Sequence, residues 1–134
     1  MIYSLVIELL INFLVLLSYI ANKLYFRGGL CHSTNRLDGK IAIVTGSNQG
    51  IGYETALDFA HRGAHVIMAC RDMKKAEKAA LEIIKLTNNK MVDVEYLDLS
   101  DLDTVRSFAN QIKKKFTKLD LLINNAGKFV KIVK

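Results

Sequence analysis

A glycine-rich corner limits this chain more than any other stretch: Val44-Thr45-Gly46-Ser47-Asn48-Gln49-Gly50-Ile51-Gly52 joins a short β-branched run to a segment of helical periodicity. Glycines spaced Gly-x-x-x-Gly-x-Gly let a chain leave a strand abruptly, let its main chain come close to a ligand, and let the next helix pack tightly. A helix entered this way aims backbone N–H groups and the positive end of its dipole at whatever lies above the strand. That arrangement favours an anion, phosphate above all. Taken alone, the stretch also reads as a glycine turn without a ligand.

The flanking sequence repeats one structural unit. Ile41–Thr45 has no polar alternation, as expected of a strand buried on both faces of a parallel sheet. From Gly50, the apolar residues Ile51, Ala56, Phe59 and Ala60 recur at helical spacing up to Gly63, which is placed to end the helix. His65–Cys70 reads as a second buried strand. Asp72 can cap the following helix, whose inner face is Ala76, Ala79, Ala80, Ile83 and Leu86, while Lys74, Lys75, Lys78, Glu82 and Lys85 face solvent; Asn88-Asn89 breaks it. Residues 92–97 form a third strand. Ser100-Asp101-Leu102-Asp103 opens a helix in the manner of a capping box, with Leu102, Val105, Phe108, Ala109, Ile112 and Phe116 inward, and residues 119–124 form a fourth strand. Alternating strand and helix predicts an α/β fold: a doubly wound, Rossmann-type parallel sheet with right-handed crossovers, of which these are the first four strands.

Two further motifs stand in order with the corner: Asp98-Leu99 after the third strand and Asn124-Asn125-Ala126-Gly127 after the fourth. Together with Thr45-Gly46-x-x-x-Gly50-x-Gly52 they resemble the short-chain dehydrogenase/reductase family, over residues 37–127. Leu37-Asp38-Gly39-Lys40, Ala69-Cys70-Arg71-Asp72 and an apolar N-terminus look like its retinol dehydrogenase branch. The resemblance implies a nicotinamide dinucleotide cofactor. Its pyrophosphate would be wrapped by the main chain from Gly46 to Ile51, with Gly52 admitting the helix against the sheet. Ser47, Asn48 and Gln49 would lie within bonding reach of ribose or phosphate, Asn48 foremost, although such residues are also ordinary loop filler. Asp98 would accept from the adenine amino group while the Leu99 amide donates to the ring; an Asp here is equally a common helix-start residue. Ala126 and Gly127 would leave room for the adenosine ribose. Asn124 and Asn125 are expected chiefly to tie strand ends together, with Asn124 counted among the site residues.

The end of the second strand sets which dinucleotide fits, because a carboxylate there accepts from the ribose 2′-hydroxyl and repels a 2′-phosphate. Here the strand ends in Cys70-Arg71. A guanidinium binds phosphate through two parallel hydrogen bonds, so NADP(H) is favoured over NAD(H). Asp72 is the counter-argument: pointing at the ribose in place of Arg71, it would weaken or reverse the preference. A Rossmann-like methyltransferase is disfavoured because the first and last motifs occur together.

Catalysis in the family needs a tyrosine, a lysine four residues later that lowers its pKa, and a serine that holds the substrate oxygen. Tyr3, Tyr19, Tyr25, Tyr53 and Tyr96 all precede the end of the fourth strand, whereas the family's pair follows Asn-Asn-Ala-Gly, so no catalytic residue is assigned. His32, His61 and His65 are not placed to act as a general base. Family members are a good deal longer than this chain. The sequence therefore reads as a fragment, splice form or truncated reading frame of an NADP(H)-dependent oxidoreductase acting on a lipophilic alcohol or carbonyl such as a retinoid. The non-enzyme alternative is a membrane-tethered nucleotide-binding or interaction fragment with no turnover.

Residues 2–20 are almost entirely Leu, Ile, Val, Phe and Tyr, long enough to cross about 30 Å of hydrocarbon as a helix. Glu8 and Asn12 share one face of it, which should turn toward something polar. No basic residue precedes the run and no small-x-small cleavage site follows it, so an anchor is expected over a cleaved signal peptide. Lys23, Arg27, Arg36 and Lys40 all follow the span, placing the next domain in the cytosol by the positive-inside rule; the expected location is the endoplasmic reticulum membrane, single-pass. Tyr19, Tyr25 and Phe26 suit the interface, and Gly28-Gly29 loosens the chain. The expected organisation is an anchor over residues 1–26, a tether over 27–37, a partial dinucleotide-binding domain over 38–127, and a divergent basic tail over 128–134. At 134 residues there is room for one small domain beyond the anchor. The net charge of +6 is spread along the chain without interleaved aromatics, which argues against nucleic acid as a partner. Cys31 and Cys70 make neither a disulfide framework nor a metal site, and a reducing compartment fits. Oligomeric state is not readable.

Overall fold

The computed structural model describes residues 2–25 and 33–127. Phe26, Arg27, Gly28-Gly29, Cys31 and His32 of the expected tether region, and the tail after Gly127, lie outside the described residues. The chain divides into two units, Met1–Thr34 and Asn35–Lys134. Among the described residues the first holds one helix, α1 (Ile2–Tyr25), whose stretch Val6–Tyr25 is long and apolar enough to cross a membrane and has none of its residues buried in the protein. At 1.5 Å per residue that stretch is about 30 Å long, the thickness of a bilayer core.

The second unit alternates strand and helix as its periodicity dictates: β1 (Ile41–Thr45), α2 (Gly50–His61), β2 (His65–Cys70), α3 (Met73–Thr87), β3 (Val92–Tyr96), α4 (Leu102–Lys115) and β4 (Leu121–Ile123). All pairings are parallel and the strand order is β3-β2-β1-β4. The chain thus winds outward from β1 to β3, then returns to lay β4 on the other side of β1. Helices α2 and α3 cover one face over Val44, Val66, Met68, Ala56, Ala60 and Ile83, and α4 covers the other over Ile43, Ile67, Phe108 and Ile112. This is the expected doubly wound sheet. Its crevice, where the winding reverses, opens between the C-terminal ends of β1 and β4.

Local chemistry sets the boundaries. At the end of α2 the Ala64 N–H donates to the Phe59 carbonyl and the Gly63 N–H to the Ala60 carbonyl, the paired closure of a Schellman motif, with Gly63 at φ +88°. Helix α3 starts on Asp72, whose carboxylate accepts from the Lys75 N–H at 3.1 Å, and stops at left-handed Asn88. The next residue, Asn89, donates its side-chain amide to the carbonyls of Ala60 and Ala64, stitching the α3–β3 turn to the end of α2.

Some details depart from expectation. Helix α4 is capped by Asp101, which accepts from the Asp103 N–H, and not by Ser100, which is drawn into a turn by Asp98. Strand β3 ends at Tyr96 and alternates, because as an edge strand it carries Asp93 and Glu95 to pair with His65 and with Gln111 and Lys115. Strand β4 is shorter than the expected 119–124, confined to the apolar Leu121–Ile123 between Asp120 and Asn124. Ile51, Leu86 and Leu102, read as inward, are exposed. Ile51 and Leu102 sit in first helical turns that overhang the sheet, and Leu86 lies on the flank of α3, turned away from the ridge made by Ala76, Ala79, Ala80 and Ile83.

Candidate nucleotide-binding crevice

Thr45, the last residue of β1, is the knot of the crevice. Its buried hydroxyl accepts from the N–H groups of Asn125 and Ala126, each at 3.0 Å, and donates to the Ile123 carbonyl at 3.3 Å. Asn125 returns the tie through its side-chain amide, which donates to the carbonyls of Thr45 and Gly46. One hydroxyl and one amide thus fix β4's exit against β1's. The expected strand-tying role falls to Asn125; Asn124 is exposed and makes no side-chain hydrogen bond among the described residues.

The corner itself is shaped by close approach. A Cβ on Gly46 (φ +65°) would meet the Ala126 Cα and Cβ at 3.0 Å, and one on Gly52 would meet the Asn125 side-chain nitrogen at 2.5 Å and the Gly46 carbonyl at 2.6 Å. No larger residue fits between α2 and the strand ends. Above Gly50 and Gly127, by contrast, a Cβ would meet nothing within 4 Å, so the mouth of the crevice is open. Gln49 is the N-cap of α2 in an extended conformation with no side-chain cap bond, and the first turn has no acidic residue. The helix's first amides therefore have no side-chain acceptor, and an anion at this mouth would satisfy them. The residues present fit a diphosphate.

Ser47 is fully buried, its hydroxyl donating to the Val44 carbonyl at 3.0 Å beside the Cys70 thiol, so only its main chain faces the mouth. Asn48 is half-buried and Gln49 exposed; both line a depression shared with Tyr53, Lys75, Lys78 and Glu82. At the neighbouring strand ends, Arg71 is exposed with its guanidinium 4.0 Å from the Asp98 carboxylate. Asp98 accepts from the Ser100 hydroxyl at 2.6 Å and the Ser100 N–H at 3.0 Å, and these bonds, with the Arg71 charge, hold its carboxyl below the usual range despite some desolvation. It is therefore an ionised acceptor near neutrality. Its backbone is clasped by Thr104, whose hydroxyl accepts the Asp98 N–H and donates to the Asp98 carbonyl. The adjacent Leu99 is exposed. Asp72 is turned into α3, where the Lys75 N–H and ammonium hold its carboxyl low. The carboxylate expected as the counter-argument to Arg71 is thus engaged as a helix cap.

Gly46, Gly50, Ile51, Gly52, Ala126 and Gly127 gather at the crevice, with Arg71, Asp98 and Leu99 at the adjoining strand ends. Thr45 and Asn125 are the positioning residues that periodicity alone does not single out; the only signal for them was their adjacency to glycine motifs. Among the described residues, Tyr53 is the tyrosine in α2, nearest the corner. Tyr53 is pushed upward by burial first, then by the charges of Glu82 and Glu54, the opposite of what a catalytic phenol needs. Tyr19 and Lys23 do stand four apart, but on α1, with the ammonium 6.0 Å over the ring as a cation–π pair. Among the described residues, no group of three His, Cys, Asp or Glu side chains is arranged to hold a metal ion.

A family model for short chain dehydrogenases matches residues 40–133. The chain belongs to the short-chain dehydrogenase family. It is 46% identical to retinol dehydrogenase 12 of Mus musculus over 91% of its own length and 54% identical to retinol dehydrogenase 11 of the same species over 74%. It spans 39% and 31% of those two relatives. Among solved structures, a short chain dehydrogenase from Shigella flexneri complexed with NADP superposes with a TM-score of 0.65 at 31% identity, covering 72% of this chain and 41% of that one.

Proposed function

We propose that this chain carries the dinucleotide-binding half of a membrane-anchored oxidoreductase that takes NADP(H) in preference to NAD(H) and serves a lipophilic alcohol or carbonyl, a retinoid being the model substrate. The observation that carries the reading is the uncapped N-terminus of α2 opening into the β1–β4 crevice, with Arg71 at the end of β2 and Asp72 withdrawn into α3. Family membership, relatives named retinol dehydrogenases and an NADP-bound structural neighbour support it. In this reading Gly46 to Gly52 hold the pyrophosphate, Asn48 and Gln49 reach toward ribose or phosphate, Asp98 and the Leu99 amide address the adenine, Arg71 meets the 2′-phosphate, and Asn124, Ala126 and Gly127 border the adenosine ribose. The bound nicotinamide would supply the hydride. This chain's residues bind and orient the dinucleotide.

Residues 1–26 act as anchor and 27–37 as tether, with the dinucleotide-binding unit on the cytosolic side of the endoplasmic reticulum membrane. A second reading is that this stretch binds the nucleotide without turnover, supported by Tyr53, the tyrosine nearest the corner, being held protonated by burial and by Glu82 and Glu54. Titration of the full chain in nanodiscs with NADPH and NADH, followed by calorimetry and by retinal reduction, tests both. Saturable heat with tighter NADPH than NADH is expected. Heat with neither coenzyme refutes the cofactor assignment, and retinal reduction refutes the second reading.

A further inference from the structure

The end of the sheet opposite the crevice is chemically distinct. There the N-terminal ends of all four strands meet the C-terminal ends of α2, α3 and α4, and the chain enters from its N-terminal segment: the Leu37 N–H donates to the Arg62 carbonyl and the Lys40 carbonyl accepts from His65. Lys40 and Lys118 share one carboxylate, Asp120, leaving a surplus positive charge. Lys90, just before β3, and Lys113 and Lys114, in the last turn of α4, lie at the same end of the sheet with no ion-pair partner among the described residues. Met91, next to Lys90, and Leu119, next to Lys118, are exposed, at 47% and 42%. Mixed cations and isolated apolar side chains match a layer of anionic headgroups over shallow acyl chains.

We infer that this basic rim docks on anionic lipid, as a second membrane contact beside the anchor. The inference rests on the anchored reading for how the rim meets the lipid surface. Nine residues, 26–34, separate α1 from the second unit, and fully extended they reach roughly 30 Å, so an inserted α1 keeps the rim within reach of the headgroups. Docking at this end leaves the crevice, at the far ends of the strands, open to water-borne nucleotide.

The test uses the full chain with Cys31→Ser, so that a reporter dye attaches only at Met91→Cys or, as the far-end comparison, at Leu102→Cys; Cys70 is buried. Each is incubated with neutral vesicles and with phosphatidylserine-containing vesicles that carry a headgroup-level quencher, and flotation is scored in parallel. Quenching at position 91 but not 102, only with phosphatidylserine, is expected. Replacing Lys90, Lys113 and Lys114 together with Glu should abolish it, whereas Arg at all three should keep it. Near the surface each removed lysine weakens lipid contact on the order of 5-fold, so loss of the three alone costs on the order of 100-fold and the added carboxylates increase it further. A chain that floats with both vesicle types but is unquenched at 91, or is quenched equally at 91 and 102, overturns the rim while the anchor stands. Flotation with phosphatidylserine vesicles alone, with quenching at 91, upholds the rim and removes the anchor. Flotation with neither overturns both.

Discussion

Gly52→Ala is the most demanding probe of the crevice, because the added methyl has nowhere to go. Its Cβ would lie 2.5 Å from the Asn125 side-chain nitrogen, 2.6 Å from the Gly46 carbonyl and 3.0 Å from the Ser47 Cα, and two of those three neighbours are backbone. Relief requires α2 to lift from the strand ends or Asn125 to swing away. Overpacking of this kind costs about 1–3 kcal/mol. Moving Asn125 also breaks its bonds to the Thr45 and Gly46 carbonyls, at about 0.5–1.5 kcal/mol each. Alanine's better helix propensity returns up to about 1 kcal/mol. The net expectation is a loss of about 2–3 kcal/mol, read by urea denaturation of the full chain followed by circular dichroism, with NADPH affinity falling in parallel. Gly50→Ala is the control: it meets no atom within 4 Å but sits at φ +62°, so it should cost only about 1–2 kcal/mol of backbone strain. A Gly52→Ala loss below about 0.5 kcal/mol with unchanged NADPH binding would refute the close approach of helix and strand ends, and with it the geometry assigned to the corner.

Thr45→Val keeps the shape but takes the acceptor from the Ala126 amide and leaves the Asn125 amide only the Ile123 carbonyl; a loss of about 1–3 kcal/mol in the same denaturation assay is expected. Arg71→Ala should weaken NADPH by about 1.5–3 kcal/mol with NADH nearly unaffected, by calorimetry; equal losses would show that Arg71 does not read the 2′-phosphate. Asn89→Ala removes the two bonds that hold the α3–β3 turn to α2 and should cost about 1–3 kcal/mol. Asp120 is held down to about 2 from 3.8, first by the Lys40 ammonium, then by the Ile41 N–H and Lys118. A depressed folded-state pKa stabilises above the unfolded value and ceases to as pH falls through the folded one. The stability gap between wild type and Asp120→Asn should therefore be constant above about pH 5 and shrink between pH 4 and 2, by urea midpoints at each pH.

The two central strands were legible because they are buried on both faces and carry unbroken apolar runs; Ile41–Thr45 and His65–Cys70 fall where periodicity puts them. Helix faces were legible only where α-helix meets sheet. Periodicity alone does not say that the first turns of α2 and α4 overhang, so Ile51 and Leu102 were read inward and are not. The cap at Asp101 was misplaced by one residue because Ser100 had a stronger local partner in Asp98, a competition between neighbouring turns that residue type does not rank. At the crevice, the glycines were readable from spacing. Thr45 and Asn125 were not readable as a pair, since their bond joins residues far apart in sequence, and nothing local to either records the other.

The wall that β4 gives the crevice is also the part of the unit with the longest memory of the chain. The Asn125 N–H reaches a hydroxyl 80 residues earlier, and closing a loop of that size costs about 4 kcal/mol in chain entropy before any contact repays it. The path from β1 through β3 pairs by shorter sequence steps than the return of β4 to β1, so β4 is expected to join last and open first. Slow amide hydrogen exchange in β1 and β2 with faster exchange at Asn125 and Ala126 would display that order. A ligand that spans both walls would act as a clasp on that seam, and its binding should slow exchange most at Asn125 and Ala126.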